Sequence, residues 1–191
     1  MVTPRNKLVR KLQGHVYHLT STKGLRGIMN DGQIFPNPDG RLAHSSIGSI
    51  PGCYVCQKLD AVSLLDLRLQ RFAALFDRSS FQNWAGVFPY NEPCIALQLN
   101  VGAIETSFIS LSRDDVLAIP GRFIVEAEIC HRGPISISAV TRAHVIRSRT
   151  WVAEHTDLEV AYALAVKVEN AIRRTQKSSS GFMVNVSLLD V

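Results

Sequence analysis
The 191-residue chain has no apolar run approaching the ~20 residues needed to span a bilayer. It also has no ordinary secretory leader, since Arg5, Lys7, Arg10 and Lys11 in Met1–Gln13 are followed by no apolar segment. A soluble, cytoplasmic protein with no membrane partner is the expectation. There is no internal repeat and no long low-complexity tract, which excludes repeat architectures and extended linkers. Charge is sparse at 19%, against 46% hydrophobic residues, a balance too apolar for a disordered chain. At roughly 100–200 residues per domain, residues 1–191 make one domain.

Cysteine is scarce too. Cys53 and Cys56 form one C-x-x-C pair, the spacing of half a zinc site, but no second pair and no H-x3-5-H accompanies it. Cys94 and Cys130 stand alone in apolar stretches. No metal is assigned, and reduced, partly buried thiols of a cytosolic protein are expected. The 21 Lys and Arg outnumber the 16 Asp and Glu, giving +5. That moderate surplus leaves a polyanionic partner open without requiring one.

Patterning then supplies the elements. Val16–Leu19 reads as a short strand, and Thr20, Ser21 and Thr22 offer N-cap oxygens for a helix carrying Leu25, Ile28 and Met29. Asp31-Gly32 ends it, and Gln33–Phe35 is extended. Residues 37–52 read as a loop, and 52–56 as a short strand leaving it. Residues 60–77 are ambiguous: the later part fits a helix, whereas Val62–Leu67 alone fits a buried strand. Residues 79–93 read as a loop holding Trp84, Phe88 and Tyr90, a base-stacking platform or a plug on the core. Alternation marks a strand with one buried face at Ile95–Val101, and further strands at Phe123–Cys130 and Ile135–Val140. The last helix, at about 157–176, shows a Thr156/Glu159 capping box and an apolar face of Leu158, Ala161, Tyr162, Ala165, Val168 and Ile172. The order predicts an α+β fold around a mixed, largely antiparallel sheet with flanking helices.

Three features carry chemistry. Tyr17-His18-Leu19-Thr20 ends a strand and opens a helix. Gly52-Cys53-Tyr54-Val55-Cys56 follows a Gly- and Pro-rich stretch. In Phe123–Cys130, period-two alternation sets Glu126 and Glu128 on one face, about 7 Å apart along the strand. Two such carboxylates suit stabilisation of a cationic transition state, or they form the solvated side of an edge strand.

In this order the residues resemble the ADP-ribosyltransferase superfamily of the His–Tyr–Glu type, and among it the small bacterial DarT-like enzymes. His18-Leu19-Thr20 is similar to its first motif, Gly52-Cys53-Tyr54-Val55 to its second, and Ala127-Glu128-Ile129 to its third. The likeness spans roughly Val16–Ile146. It implies an ADP-ribosyltransferase-like split sheet and NAD as co-substrate. His18, helped by Thr20, would bind the adenosine ribose, and Tyr54 would stack on nicotinamide. Glu128 would act as the catalytic carboxylate and Glu126 as its helper. The implied activity is cleavage of the nicotinamide–ribose bond and transfer of ADP-ribose to a macromolecule, a nucleic-acid base among the candidates. A toxin or defence role and an antitoxin or immunity partner come with the resemblance. The Glu-x-Glu pattern and the Cys56-Gln57-Lys58 continuation depart from it.

Arg142, His144, Arg147 and Arg149 recur within eight positions, with Arg41, His44, Arg68, Arg71 and Arg78 elsewhere. Gathered on one face, Arg142, Arg147 and Arg149 would contact nucleic-acid phosphates; dispersed, they are solvated charge. The alternatives are an NAD-degrading or RNA 2′-phosphotransferase-like enzyme of the same fold, and a catalytically idle nucleic-acid or protein-binding module.

Overall fold
Alternating apolar residues and two amphipathic segments assemble into one large sheet backed by two helices. A computed structural model describes residues 11–37, 56, 59–68, 92–109, 128–148 and 151–179. In chain order its elements are β1 (Val16–Thr20), α1 (Thr22–Asp31), β2 (Gln33–Ile34), β3 (Ala61–Asp66), β4 (Cys94–Leu99), β5 (Phe108–Ile109), β6 (Glu128–Arg132), β7 (Ile135–Ser136), β8 (Val140–Ile146), β9 (Val152–His155) and α2 (Leu158–Ser179). Seven strands form a sheet in the order β5-β6-β3-β1-β4-β8-β9, and β2 pairs β7 in a separate ribbon. Neighbouring strands run antiparallel throughout. The class is α+β, as the element order predicts.

Local chemistry sets the helix ends. Of the three hydroxyls available before α1, Ser21 is the cap: its backbone is extended and its side chain accepts from the Gly24 amide at 3.1 Å. Gly32 ends the helix at φ 68, where a β-carbon would be strained. For α2 the cap differs from the expected Thr156/Glu159 box. Asp157 Oδ1 accepts from the amides of Glu159 (2.8 Å) and Val160 (3.2 Å), because the carboxylate just before Leu158 reaches both of these first-turn donors. The helix also runs past its expected end at about 176 to Ser179, since serine costs a helix little.

One face of the sheet, with Val16, Val62, Leu64, Ile95, Leu97, Ala143 and Val145, packs against Leu25 and Ile28 of α1 and Ala161 and Ala165 of α2. The Arg26 guanidinium lies 5.3 Å from the Tyr162 ring centroid and ties the two helices. The opposite face is covered as well, since Tyr17, Cys94, Ala96, Cys130 and Ile146 are buried. The single buried face expected for β4 is therefore corrected to two, with Gln98 half-buried.

Other expectations shift by a few residues. Within the ambiguous 60–77 stretch the strand alternative forms, over Ala61–Asp66, and 69–77 lie outside the described residues. β6 is seen from Glu128 and continues through His131 and Arg132, so the turn starts only at Gly133, φ 74. The expected strand Ile135–Val140 is interrupted by a 3-10 turn at Ile137–Ala139, capped by Ser136. Cys56 has helical backbone rather than the strand expected over 52–56; 52–55 lie outside the described residues.

Candidate functional site
The sheet divides beside His18. β1 pairs β4 along its full length, from Val16↔Leu99 to Thr20↔Ile95. Its pairing with β3 is confined to Val16↔Asp66 and Tyr17↔Leu65, with Gly14 and Leu67 bonded below them. Beyond that point β3 runs on against β6, Leu64↔Ile129 to Ala61↔Arg132, and the two halves of the sheet part. His18 is the first residue past the last β1–β3 pair, and its Nδ1 lies 3.1 Å from the Ser63 carbonyl across the split.

That contact fixes the imidazole chemically. A carbonyl oxygen only accepts, so Nδ1 carries the proton and donates it. Burial lowers the His18 pKa, outweighing the carbonyl bond that raises it. The ring is therefore neutral, and Nε2 bears a lone pair able to accept a hydrogen bond.

The next residues extend this corner. Thr20 and Thr22 are buried, and neither Oγ1 has a hydrogen-bond partner among the described residues. Both lie at the N-terminus of α1, where backbone N–H groups and the helix dipole favour negative charge. An acceptor nitrogen, two hydroxyls and a helix N-terminus suit a ligand bearing a ribose and a phosphate. The residues present fit NAD to that extent.

Glu128 opens β6, with Leu65 as its Cα partner, and Leu65 is in turn the partner of Tyr17. Position 128 is thus two strands from β1, about 10 Å away, in the row of Tyr17 and therefore, by the same register that places Arg142, on the face of the sheet opposite His18. Tyr54, Glu126 and Arg149 lie outside the described residues. Cys56 and Cys130 are joined by a disulfide across a sequence separation of 74, correcting the expectation of reduced thiols. A bonded pair lends no support to a reducing compartment, and it takes Cys56 out of a zinc half-site. Among the described residues no helix is long and apolar enough to cross a membrane.

Among the described residues, Arg142 does not join His18. Arg142 pairs with Gln98 in register, and Gln98 with Tyr17, so Arg142 lies on the face opposite His18, whose row runs through Leu97 and Ala143. Its guanidinium forms an ion pair with Glu154. Arg147 sits at the β8–β9 turn, half-buried, its amide donating to the Trp151 carbonyl at 3.2 Å. Arg68 is held by the buried Asp66 through Nε (2.9 Å) and Nη2 (2.7 Å).

A polar constellation absent from the sequence reading occupies the Tyr17 face. His144 Nε2 lies 3.3 Å from Gln98 Oε1, and Gln98 Nε2 lies 3.3 Å from His15 Nδ1. The Tyr17 ring meets His144 edge-on at 5.5 Å. Burial, reinforced by Arg142, His15 and Lys11, lowers the His144 pKa to about 4. Burial raises that of Tyr17, against the opposing effect of Arg142. No linear signal gathers these groups, because β1, β4 and β8 meet only through strand pairing.

No family model matches the chain, and neither curated proteins nor solved structures gave a match.

Proposed function
We propose that the chain is an NAD-dependent ADP-ribosyltransferase that transfers ADP-ribose to a macromolecular acceptor. The observation that carries this reading is His18 at the sheet division, held as a neutral acceptor by Ser63 and followed by the buried hydroxyls of Thr20 and Thr22. In this reading Nε2 accepts from a hydroxyl of the adenosine ribose, and the α1 N-terminus faces the pyrophosphate. Tyr54 stacks on nicotinamide. Glu128, with Glu126 two positions before it in sequence, stabilises positive charge on the nicotinamide ribose, the electrostatic demand met by carboxylates in glycoside hydrolysis; this requires the ligand to reach from the His18 face past the sheet division to the Tyr17 face. The glycosidic C–N bond breaks with its electron pair leaving on the nicotinamide nitrogen, and the acceptor adds to the anomeric carbon as it loses a proton. A nucleic-acid base is the acceptor class that the basic surplus favours, with Arg142, Arg147 and Arg149 as phosphate contacts. A toxin or defence role, opposed by an immunity partner, accompanies the reading.

The test is incubation with NAD labelled in its adenylate half, together with separate DNA, RNA and protein pools, following both nicotinamide release and label transfer. Release that depends on Glu128 and His18, with label on one pool, supports the proposal. Release unchanged in Glu128→Ala removes the catalytic assignment. Absence of release beside tight, salt-dependent nucleic-acid binding favours the idle binding module.

A further inference from the structure
The Cys56–Cys130 bond stands one strand from the anchor of His18. Cys130 lies on β6 opposite Ser63 of β3, and it is the Ser63 carbonyl that accepts from His18 Nδ1. A continuous path therefore leads from the disulfide through Cys130 and Ser63 to His18. The bond is enclosed with Ala61 and Ile109, and Cys56 Sγ also lies 3.8 Å from the Ile129 carbonyl. The β5-β6-β3 arm that holds it meets the rest of the sheet along the short β1–β3 ladder. In sequence, Cys56 follows Tyr54 by two positions and Cys130 follows Glu128 by two. Two Cα–Cα steps span at most about 7.6 Å, so the bonded Cys130 lies within that distance of Glu128.

We propose that Cys56–Cys130 is a reversible oxidation site that fastens the chain leading into β3 to β6, holds the Ser63 carbonyl in place within this arm, and so sets the activity of the site beside His18. The activity effect rests on the ADP-ribosyltransferase reading; the mechanical coupling does not. A dithiol reductant supplies two electrons and two protons. One thiolate attacks a sulfur of the disulfide and expels the other cysteine, and the mixed disulfide then resolves by closing the reductant into its own cyclic disulfide. Cys56 and Cys130 become thiols, and Ser63 is then held through backbone pairing without the staple. Because the bond is buried, exchange requires opening of the arm, so reduction proceeds at the rate of that opening.

The experiment uses the full chain, oxidised and then treated with dithiothreitol. Non-reducing digestion and mass spectrometry should recover a peptide linking residues 56 and 130. On reduction, amide exchange in 61–65 and 128–132 should rise ten-fold or more, and nicotinamide release should fall ten-fold or more. Cys56→Ser should reproduce the reduced state and ignore the dithiol, with Cys130→Ser as a second variant should the first fail to fold. Cys94→Ala, buried on β4 and unbonded, should keep the full response. Absence of the linked peptide, or equal exchange in the two states, overturns the proposal, as does a Cys56→Ser protein that still responds. Release that is equal in both states overturns the control of activity. Failure of both forms to release nicotinamide defeats the enzymatic reading and with it the activity effect, while amide exchange still decides the coupling.

Discussion
His18 and His144 stand on opposite faces of one sheet, and burial lowers both pKa values, to different ends. For His18 the Ser63 carbonyl selects the tautomer, leaving Nε2 as the acceptor. His18→Leu removes that acceptor and should weaken NAD binding about ten-fold, the worth of one hydrogen bond of roughly 1–1.5 kcal/mol. Titration calorimetry reads this directly, and an unchanged Kd would detach His18 from the ligand. Because its pKa is lowered, the acceptor should persist as pH falls from 7.5 to 6. His144 instead affects stability. Its pKa drops from 6.5 in the unfolded chain to about 4 when folded, so the unfolded state binds the extra proton between those values. The stabilisation is full above pH 6.5 and is lost as pH falls toward 4, on the order of 3 kcal/mol in all. Urea midpoints of the wild type should therefore fall more steeply over this range than those of His144→Gln. Parallel profiles would show that His144 is not buried neutral.

Among the elements, local chemistry was legible where it acts within a few residues. Strand β1, helix α1 and its end at Gly32 follow from the apolar spacing and from glycine's tolerance of φ 68. The apolar face of α2 emerges as read, with Ala161, Ala165, Val168 and Ile172 buried. Competition between neighbouring caps was not legible. Thr156 and Asp157 both qualify as N-caps by type, and only the backbone path shows Asp157 reaching the Glu159 and Val160 amides. Asp157→Ala should cost about 1 kcal/mol and Ser21→Ala a similar amount, with Thr156→Ala within about 0.5 kcal/mol. Chemical denaturation compares the three, and a larger loss at Thr156 would return the cap to that residue. Long-range pairing was equally hidden. Neither the Cys56–Cys130 bond nor the role of the Ser63 carbonyl follows from spacing, because each depends on β3 and β6 lying side by side.

At the scale of the whole molecule, the strand order separates the two anion-directed ideas suggested by a net charge of +5. His18, Thr20 and the α1 N-terminus belong to the helix-covered face, whereas Arg142 stands on the other with His15 and Tyr17. A nucleic-acid acceptor engaging Arg142 must also displace Glu154, which already neutralises the guanidinium. Exchange of one anion for another yields less than a full phosphate contact, which in free form contributes a slope near −0.9 in log K against log salt. Glu154→Ala should therefore strengthen nucleic-acid binding and steepen its salt dependence, because it frees the charge without adding one. Arg142→Ala in that background should abolish the gain, while Arg142→Ala alone should flatten the slope by less than about 0.9. Binding isotherms of a short DNA duplex at several salt concentrations measure all three, and NAD affinity should stay level because the exchange occurs away from His18, Thr20 and the α1 N-terminus. A Glu154→Ala protein with unchanged affinity and slope would remove Arg142 from the acceptor surface and leave Arg147 and Arg149 as its remaining candidates.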